Sequence, residues 1–338
     1  MAITLSIIGC GLIGKKRAAE IAKDPSSRLL YAIDVDETQT RFLQDQYGCA
    51  GSSDWRLAVE SPEIDAIILS TPNHLSKRIA IAALQAGKDI LIEKLFGKNF
   101  SESTEILQAA KQSNRFLVVK TGFNHRYHPA LSQAKKLVEE QTIGKLLSIR
   151  ARYGHGGRKG MEKEWRSSKE LCGGGELLDQ GIHLIDLVQW FAGDWKEVYG
   201  SLATQFWPIP VEDNAYVIGK TVQEVSALFH VSWTQWKNLF SFELFGDKGS
   251  IHVHGLGGSY GPETLELCVK KPDGGKPDVT NFVYGQEDVS WQLEWQDFKK
   301  ALLERKTPPG SGEDGWKANK VIAAIEKSNL EKIRVSIE

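Results

Sequence analysis

Three side chains in this 338-residue chain have the types and the placement for proton transfer at a hydroxyl group. Asp179 and His183 lie four residues apart in GGGELLDQGIHLIDL (173–187), so both face the same side of a predicted helix. A histidine titrates near neutral pH, and a neighbouring carboxylate can orient it or share its proton. Lys94 ends the apolar stretch DILIEK (89–94), where its charge could stabilise an oxygen that becomes negative. These residues predict acid–base chemistry at an alcohol.

The sequence leaves other interpretations of these residues open. An aspartate and a histidine on one helix can bind a metal, but the HExxH pattern is absent and no third ligand follows at a suitable spacing. His183 could instead be a hydrogen-bonded core histidine, and Lys94 a surface lysine with its stem along apolar surface. Gly181 inside the predicted helix costs about 1 kcal/mol relative to alanine, which indicates close packing there. We favour proton transfer and predict no metal.

A glycine motif, GCGLIG (9–14), follows a predicted strand and opens a predicted helix. In that setting Gly9 allows a tight turn, Gly11 lets the backbone approach a pyrophosphate and Gly14 permits close packing of helix on sheet. The helix N-terminus supplies N–H groups and partial positive charge to the phosphates. Asp34 ends the second strand, where an acid accepts hydrogen bonds from both ribose hydroxyls and repels a 2′-phosphate. NAD is therefore the predicted cofactor.

Two further segments complete the cofactor prediction. The loop STPNH (70–74) either passes over the nicotinamide ribose or is an ordinary strand–helix connection capped by Asn73. The basic run KKR (15–17) keeps NADP as a second possibility, because basic groups suit an extra phosphate. The residues predicted to contact the cofactor are Gly9, Gly11, Leu12, Ile13, Gly14, Asp34, Ser70, Thr71, Pro72, Asn73, His74, Glu93 and Lys94.

Strands and helices that could position these residues alternate over the first third of the chain. Near-continuous apolar runs are typical of strands that are buried on both faces, and their alternation with helices predicts a doubly wound parallel sheet. Ligands of such sheets bind beyond the carboxyl ends of the strands. The predicted strands cover 3–9, 29–34, 64–70, 89–94 and 116–120, and the predicted helices 13–24, 37–47, 74–87 and 101–114.

The pattern changes after residue 121. Successive short strands over 196–285 predict a large, open and mostly antiparallel sheet in an α+β domain. We therefore predict a nucleotide-binding domain over 1–121 and a substrate-binding and oligomerisation domain over 122–338. The other predicted elements of the second domain are helices near 128–141, 176–192, 289–305 and 312–329, a strand at 145–153 and a glycine-rich charged loop at 154–175.

The composition excludes several classes of protein. The chain is 41% hydrophobic and 25% charged, with a net charge of −1, so neither nucleic acid nor a membrane surface is an expected partner. The first residues lack the basic segment of a signal peptide. Four cysteines stand without CxxC spacing, which fits a reducing cytoplasm.

In their order and spacing these motifs resemble the Gfo/Idh/MocA family of oxidoreductases, typified by glucose–fructose oxidoreductase and inositol dehydrogenase. The resemblance covers essentially the whole chain through GCGLIG, Asp34, STPN (70–73), EK (93–94), GFNHRYHP (122–129) and GGGELLDQGIHLIDL. It implies a Rossmann domain, a second domain with a large open sheet, and nicotinamide at their junction. It also implies that Lys94 of the EKP motif meets Asp179 and His183 of the DxGxH motif around the substrate.

Two positions depart from the family pattern. Leu95 stands where the EKP motif has proline, so the backbone after Lys94 loses the fixed φ of that residue. Ser76 stands where the TPNxxH motif has histidine. The three predicted catalytic residues are all present.

The predicted reaction is the reversible oxidation of a secondary hydroxyl on a sugar, a sugar derivative or a cyclic polyol such as inositol. Arginines in the loop 154–175 could clamp a sugar phosphate, nucleotide sugar or uronic acid, or could be solvated surface charges. Alternatives are a glycoside-cleaving enzyme with tightly bound NAD, a ketoreductase and a non-catalytic sensor. A homodimer or homotetramer is expected. The predicted substrate contacts are Lys94, Arg126, His155, Arg158, Trp165, Arg166, Asp179 and His183.

Overall fold

A computed structural model describes residues 2–337 of the chain. Within those residues the first sheet has six parallel strands in the order β3-β2-β1-β4-β5-β6. Its strands are β1 (Ile3–Ile8), β2 (Ser27–Ile33), β3 (Ala50–Ser52), β4 (Ala66–Leu69), β5 (Asp89–Glu93) and β6 (Val119–Gly122). The connecting helices are α1 (Leu12–Ala22), α2 (Glu37–Tyr47), α3 (Arg56–Glu60), α4 (Asn73–Gln85) and α5 (Phe100–Lys111).

The strand order places two loops at the point where ligands bind in such sheets. β1 lies between β2 and β4, so the order reverses direction there. The loops that follow β1 and β4 leave the carboxyl edge of the sheet side by side, which is the position of a nucleotide in doubly wound folds. The predicted doubly wound parallel sheet is confirmed.

Residues 291–319 belong to the first of two units into which the chain divides, together with 1–123 and 170–173. This segment holds most of α9 (Ser290–Glu304) and the start of α10 (Gly312–Glu331). Trp295, Phe298 and Leu302 recur at helical spacing and are buried in the core formed by β1, β2 and α1. The sequence-based division assigned all of 122–338 to one domain. The burial of this apolar stripe instead places most of α9 in the first unit.

The second unit is built on a sheet of nine strands, counted within the described residues. Its order is β14-β13-β12-β11-β7-β10-β9-β8-β15, and only the β7–β10 pair is parallel among these neighbours. This confirms the predicted large and mostly antiparallel sheet. The strands are β7 (Leu146–Gly154), β8 (Trp195–Ala203), β9 (Asn214–Thr221), β10 (Ser226–Ser232), β11 (Leu239–Gly246), β12 (Gly249–His254), β13 (Glu263–Val269), β14 (Asp278–Gly285) and β15 (Val335–Ser336).

The predicted helix over 176–192 consists of two different helices. Leu177–Gly181 form one turn of π-helix, and α8 (Ile182–Ala192) continues from it. A Cβ atom on Gly181 would lie 3.0 Å from the Leu177 side chain and 3.3 Å from Val231 on β10, so the close packing expected at this glycine is present. The remaining helices are α6 (Pro129–Glu139) and the short α7 (Lys169–Cys172).

Candidate active site

The glycine loop after β1 is shaped by neighbouring backbone. Gly9 has φ +95°, and a Cβ atom there would lie 2.5 Å from the backbone carbonyl of Ser70. A Cβ atom on Gly14 would lie 2.0 Å from the Gly9 oxygen, to which the Ser70 hydroxyl also donates at 2.6 Å. A Cβ atom on Gly11 would meet nothing within 4 Å. The loop is therefore closed on its sheet side and open at Gly11, as the approach of a pyrophosphate requires.

Asp34 joins this loop to the end of β2. Its Oδ2 accepts a hydrogen bond from the Cys10 amide at 2.7 Å, and its Oδ1 accepts one from the Asp36 amide at 3.0 Å. Leu12 and Val35 are 73% and 84% exposed, so apolar side chains border the carboxylate. An open glycine turn, a helix N-terminus, a carboxylate and exposed apolar side chains together fit an NAD molecule.

The basic run that kept NADP open does not present its arginine to solvent. Arg17 is 2% exposed; its Nε and Nη2 donate to Glu93 Oε1 at 2.8 and 2.6 Å, and Nη1 lies 2.7 Å from Glu294 Oε2. Lys15 and Lys16 lie over aromatic rings, at 4.3 Å from Phe42 and 4.8 Å from Trp291. Arg17 is thus paired with two carboxylates and is not exposed to a 2′-phosphate, which favours NAD over NADP.

The loop after β4 combines exposed and buried positions. Thr71 and Pro72 are half-buried and His74 is exposed. Asn73 is buried, and its Nδ2 donates to the Cys172 carbonyl at 2.8 Å, while Pro72 occupies the N-cap position of α4. Asn73 is therefore not the cap that the sequence suggested. It ties this loop to α7.

Lys94 follows the last residue of β5, at the carboxyl edge of the first sheet. Glu93 lies directly across from Gly122 on β6, where a Cβ atom would come within 2.7 Å of its carboxylate. Lys94 is partly buried, and Leu95, at the position of the motif's proline, is 2% exposed and follows a cis peptide bond. Lys94 thus lies at the carboxyl end of β5, and its contact with a ligand and its catalytic role stay predictions.

Asp179 and His183 differ in their surroundings. His183 is 6% exposed and stacks on His125, with ring centroids 3.8 Å apart and planes inclined by 23°. The Asp179 side chain is 24% exposed, and its Oδ1 lies 3.9 Å from Nε of Arg166. Asp179 stands in the π-helical turn and His183 in the first turn of α8, which continues from it. Their joint role in proton transfer stays a prediction.

Two arginines predicted to contact substrate are paired with carboxylates. Arg126 is buried and donates from Nε and Nη2 to the two oxygens of Asp186, at 2.9 and 2.6 Å. Arg158 donates in the same two-pronged way to Glu164, at 2.8 and 2.6 Å, although its side chain is 64% exposed. Both guanidinium groups are thus neutralised within the second unit.

His155, Trp165 and Arg166 form the part of the predicted substrate set that lies near Asp179. Burial lowers the pKa of His155; the nearby Asp179 opposes this effect, and Arg158 and Arg166 add to it. The Gly157 amide donates to Nδ1 of His155 at 2.9 Å, so the neutral ring carries its hydrogen on Nε2. The Arg166 guanidinium lies 4.6 Å from the Trp165 ring centroid. The neutral imidazole of His155 thus offers an N–H hydrogen-bond donor at Nε2.

Sequence reasoning missed a polar aromatic group beside these residues. Tyr153 is the second-last residue of β7, with its ring centroid 5.3 Å from Tyr260 and 6.4 Å from His183. Burial raises the pKa of Tyr153, and the charges of Tyr260 and Asp179 add to the rise. Gln180 Nε2 donates to the Tyr260 hydroxyl at 2.8 Å. The signal available was the position of Tyr153 at a strand end just before the glycine-rich loop.

One group of potential metal ligands occurs among the described residues. His252, Glu266 and Cys268 on β12 and β13 bring ligand atoms within 4.8 Å of one another. None of them was predicted as a site residue, and neither Asp179 nor His183 belongs to the group.

Comparison with known families gives a match on each domain. Residues 3–121 match the model of the oxidoreductase family with an NAD-binding Rossmann fold, and residues 131–252 match the GFO/IDH/MocA C-terminal domain. Together the two models cover most of the chain. The chain belongs to the Gfo/Idh/MocA oxidoreductase family. The resemblance noted in the sequence is confirmed, and so is NAD as the cofactor of the first domain.

Relatives within the Gfo/Idh/MocA family include enzymes named for carbohydrates. The levoglucosan dehydrogenase of Pseudarthrobacter phenanthrenivorans is 37% identical over 213 residues, which span 60% of this chain and 54% of that protein. The myo-inositol 2-dehydrogenase of Thermotoga maritima is 26% identical over 345 residues, spanning 99% of this chain and 98% of that protein.

Several solved structures share the fold. A levoglucosan dehydrogenase in complex with NADH and levoglucosan aligns over 100% of both chains with a TM-score of 0.91 at 24% identity. An NAD-binding oxidoreductase from Klebsiella pneumoniae covers 100% of this chain and 99% of its own, with a TM-score of 0.87 at 22% identity. None of the helices in residues 2–337 has the length and apolar character needed to cross a membrane.

Proposed function

We propose that this protein is an NAD-dependent dehydrogenase that reversibly oxidises a secondary hydroxyl of a neutral sugar or cyclic polyol. The observation that carries the proposal is the match of both domains to one oxidoreductase family, with Lys94, Asp179 and His183 all retained. Two relatives are named for levoglucosan and myo-inositol, which both lack a charged group.

The residue roles follow from acid–base chemistry. When bound, the nicotinamide ring accepts the hydride from the carbon that is oxidised. His183 takes the proton of the substrate hydroxyl as general base, and Asp179 orients His183 or accepts a hydrogen bond from a neighbouring hydroxyl. Lys94 stabilises the negative charge that develops on the substrate oxygen.

The pairing of the arginines supports a neutral substrate. Arg126 and Arg158 each donate two hydrogen bonds to a carboxylate, and Arg166 lies 3.9 Å from Asp179. A phosphate or carboxylate on the substrate would have to displace one of these partners. Hydroxyl groups instead need the mixture of donors and acceptors that Asp179 and the neutral His155 offer.

Two broader properties belong to the same proposal. The four cysteines are free thiols, which supports the predicted cytoplasmic location. Tyr199, Ile218 and Leu228 lie side by side across β8, β9 and β10 and are 40%, 53% and 49% exposed. An exposed apolar row of this kind supports a homodimer or homotetramer.

The test is the formation of NADH from NAD⁺ with neutral and anionic carbohydrates. Levoglucosan, myo-inositol and glucose form the neutral set, and glucose 6-phosphate, glucuronate and a nucleotide sugar form the anionic set. Lys94→Ala and His183→Asn should abolish turnover with little loss of NAD binding. Lys98→Ala is the matched control, because it removes a lysine from the same segment, where Nζ donates to the Glu170 carbonyl.

Each result separates the alternatives. NADH from a neutral sugar, lost in Lys94→Ala, supports the proposal, whereas activity confined to anionic sugars contradicts the assignment of a neutral substrate. Relatives named 2,7-anhydro-N-acetylneuraminate hydratase, 25% identical over 268 residues in one case, favour internal recycling of NAD as the second candidate. Conversion of an anhydro sugar or glycoside without net NADH would identify that class. Nucleotide binding with no conversion would indicate a sensor.

A further inference from the structure

His125 provides the surface on which the ring of His183 rests. The two centroids are 3.8 Å apart, the planes are inclined by 23°, and the residues are 5% and 6% exposed. His125 comes from the 3-10 turn Asn124–Tyr127, and His183 is the second residue of α8. Stacking at this distance in a buried position restricts rotation of both rings. The plane of the proposed general base is therefore set by a residue from another part of the second unit.

A hydrogen-bond chain fixes the hydrogen on His125. The Ser290 hydroxyl donates to Asp288 Oδ1 at 2.5 Å, so its oxygen accepts from Asn124 Nδ2 at 2.9 Å. The amide of Asn124 is thereby oriented with Oδ1 toward Nδ1 of His125, at 3.1 Å. Nδ1 of His125 therefore carries a hydrogen, and a further proton would enter at Nε2.

Several of the other charged and titratable groups around the pair are held by partners or kept neutral. Tyr153 on β7 is held neutral, because burial raises its pKa. Arg126 beside His125 and Asp186 on α8 form a two-bond ion pair. His128 meets the His125 ring at 5.5 Å, and its Nδ1 lies 3.1 Å from Glu263 on β13. The titratable and charged groups in contact with the stacked rings or with their neighbours are His128, Tyr153, Arg126, Asp186, Glu263, Tyr260, Glu176 and Asp179.

We propose, resting on the dehydrogenase function above, that His125 is a positioning residue for His183 and that the stacked pair holds one proton at a time. Two parallel imidazolium rings at 3.8 Å repel each other strongly even at an effective dielectric constant of about 20. Proton uptake by one ring therefore opposes uptake by the other. In acidic solution His125 competes with His183 for the proton, which keeps a fraction of His183 in the basic form.

Activity of two variants separates stacking from proton competition. His125→Ala removes the stack, so kcat should fall by up to about 100-fold with little change in KM, because the base is no longer aimed. His125→Phe keeps a flat ring and should restore most of kcat at alkaline pH. In His125→Phe the acid limb of the profile of kcat/KM against pH should move to higher pH, because a second cation no longer opposes protonation of His183. His230→Phe is the matched control, since His230 stacks on Tyr216 with ring centroids 4.2 Å apart and its Nε2 lies 2.9 Å from Asn214 Oδ1.

A titration of ¹³C-labelled histidine by NMR tests the pair without any substrate. The wild type should show two coupled steps separated by about one pH unit or more, and His125→Phe a single step for His183. Independent titration of the two rings would overturn the proposal, whether or not any sugar is oxidised. Coupled steps together with wild-type kcat and an unshifted acid limb in both variants would overturn the positioning role. Coupled steps with no NADH from any sugar would refute the dehydrogenase assignment and leave the single-proton pair supported.

Discussion

Replacing Arg17 with methionine tests how the strand end before Lys94 is held. Arg17 joins α1 to Glu93 on β5 and to Glu294 on α9, through contacts of 2.6 and 2.7 Å. The side chains of Arg17, Glu93 and Glu294 are 2%, 13% and 0% exposed. Methionine retains most of the apolar stem and removes the charge. Two carboxylates then remain in the interior without this cation.

The loss of stability follows from that burial. Breaking a buried ion pair by removing one partner costs about 3–5 kcal/mol. Lys120 Nζ stays 3.7 Å from Glu294 Oε1, so the expected cost lies in the lower half of that range, about 3–4 kcal/mol. Burial raises the pKa of Glu93, Arg17 opposes the rise and Glu294 adds to it, so the variant raises this pKa further. A carboxyl with a raised folded-state pKa contributes stability that is lost as the pH rises through that value. The deficit should therefore be smallest near pH 4–5, about the unfolded value of glutamate, and grow toward pH 8.

The measurement is the free energy of unfolding in urea, followed by tryptophan fluorescence at several pH values. Lys16→Met is the control, because Lys16 is an exposed cation on the same helix, 4.8 Å from the Trp291 ring. Its cost should stay below about 1 kcal/mol. An Arg17→Met variant within about 1 kcal/mol of wild type at pH 8, or one whose deficit grows on acidification, would refute the reasoning.

Three further predictions concern the cofactor loop and the exposed sheet. Asp34→Ala should raise the ratio of NADP⁺ to NAD⁺ activity by about tenfold or more, because a like charge no longer faces the 2′-phosphate. Initial rates with both nucleotides measure this ratio, and an unchanged ratio would contradict the prediction. Gly9→Ala should lower the free energy of unfolding by about 2 kcal/mol or more, because φ is +95° there and the added Cβ would lie 2.5 Å from the Ser70 carbonyl. Gly11→Ala should unfold like wild type but bind NAD more weakly, because its Cβ would meet no protein atom within 4 Å. Ile218→Arg should lower the mass found by light scattering, and an unchanged mass would exclude this face as the contact between subunits.

Features with a local signal were predictable from the sequence. The strands β1, β2, β4 and β5 were found because a strand buried on both faces is a run of apolar residues. The strand predicted at 116–120 overlaps β6 only at 119 and 120, because β6 continues through the polar and small residues Thr121 and Gly122. β3 (Ala50–Ser52) was missed, since it has three small residues and lies at the edge of the sheet. The stripe Trp295, Phe298 and Leu302 was recognised as core-facing, but its period does not say which core receives it.

Partners far apart in sequence were not predictable. The sequence analysis considered Arg17 as part of a basic run for a phosphate and Arg126 as a substrate contact, because the sequence around an arginine does not show which carboxylate it pairs with in the fold. Their carboxylates lie 76 and 60 residues away along the chain. The stacking of His125 on His183 was missed for the same reason. The fold was thus predictable from patterns, whereas the charge balance of the site depends on contacts that only the folded chain creates.

These ion pairs share a consequence for the proposed chemistry. Glu93 directly precedes Lys94, and Asp186 follows His183 by three residues on α8, so each proposed catalytic group has a buried acid near it in the chain. Each acid has its own arginine, at 2.6 Å in both cases. Because Arg17 pairs with Glu93, the carboxylate next to Lys94 in the chain is balanced by an arginine. Asp186 is likewise held by Arg126, whereas Asp179 is partly exposed and its Oδ1 lies 3.9 Å from Arg166 Nε, so the proposed chemistry assigns the acid beside the base to Asp179 rather than to Asp186.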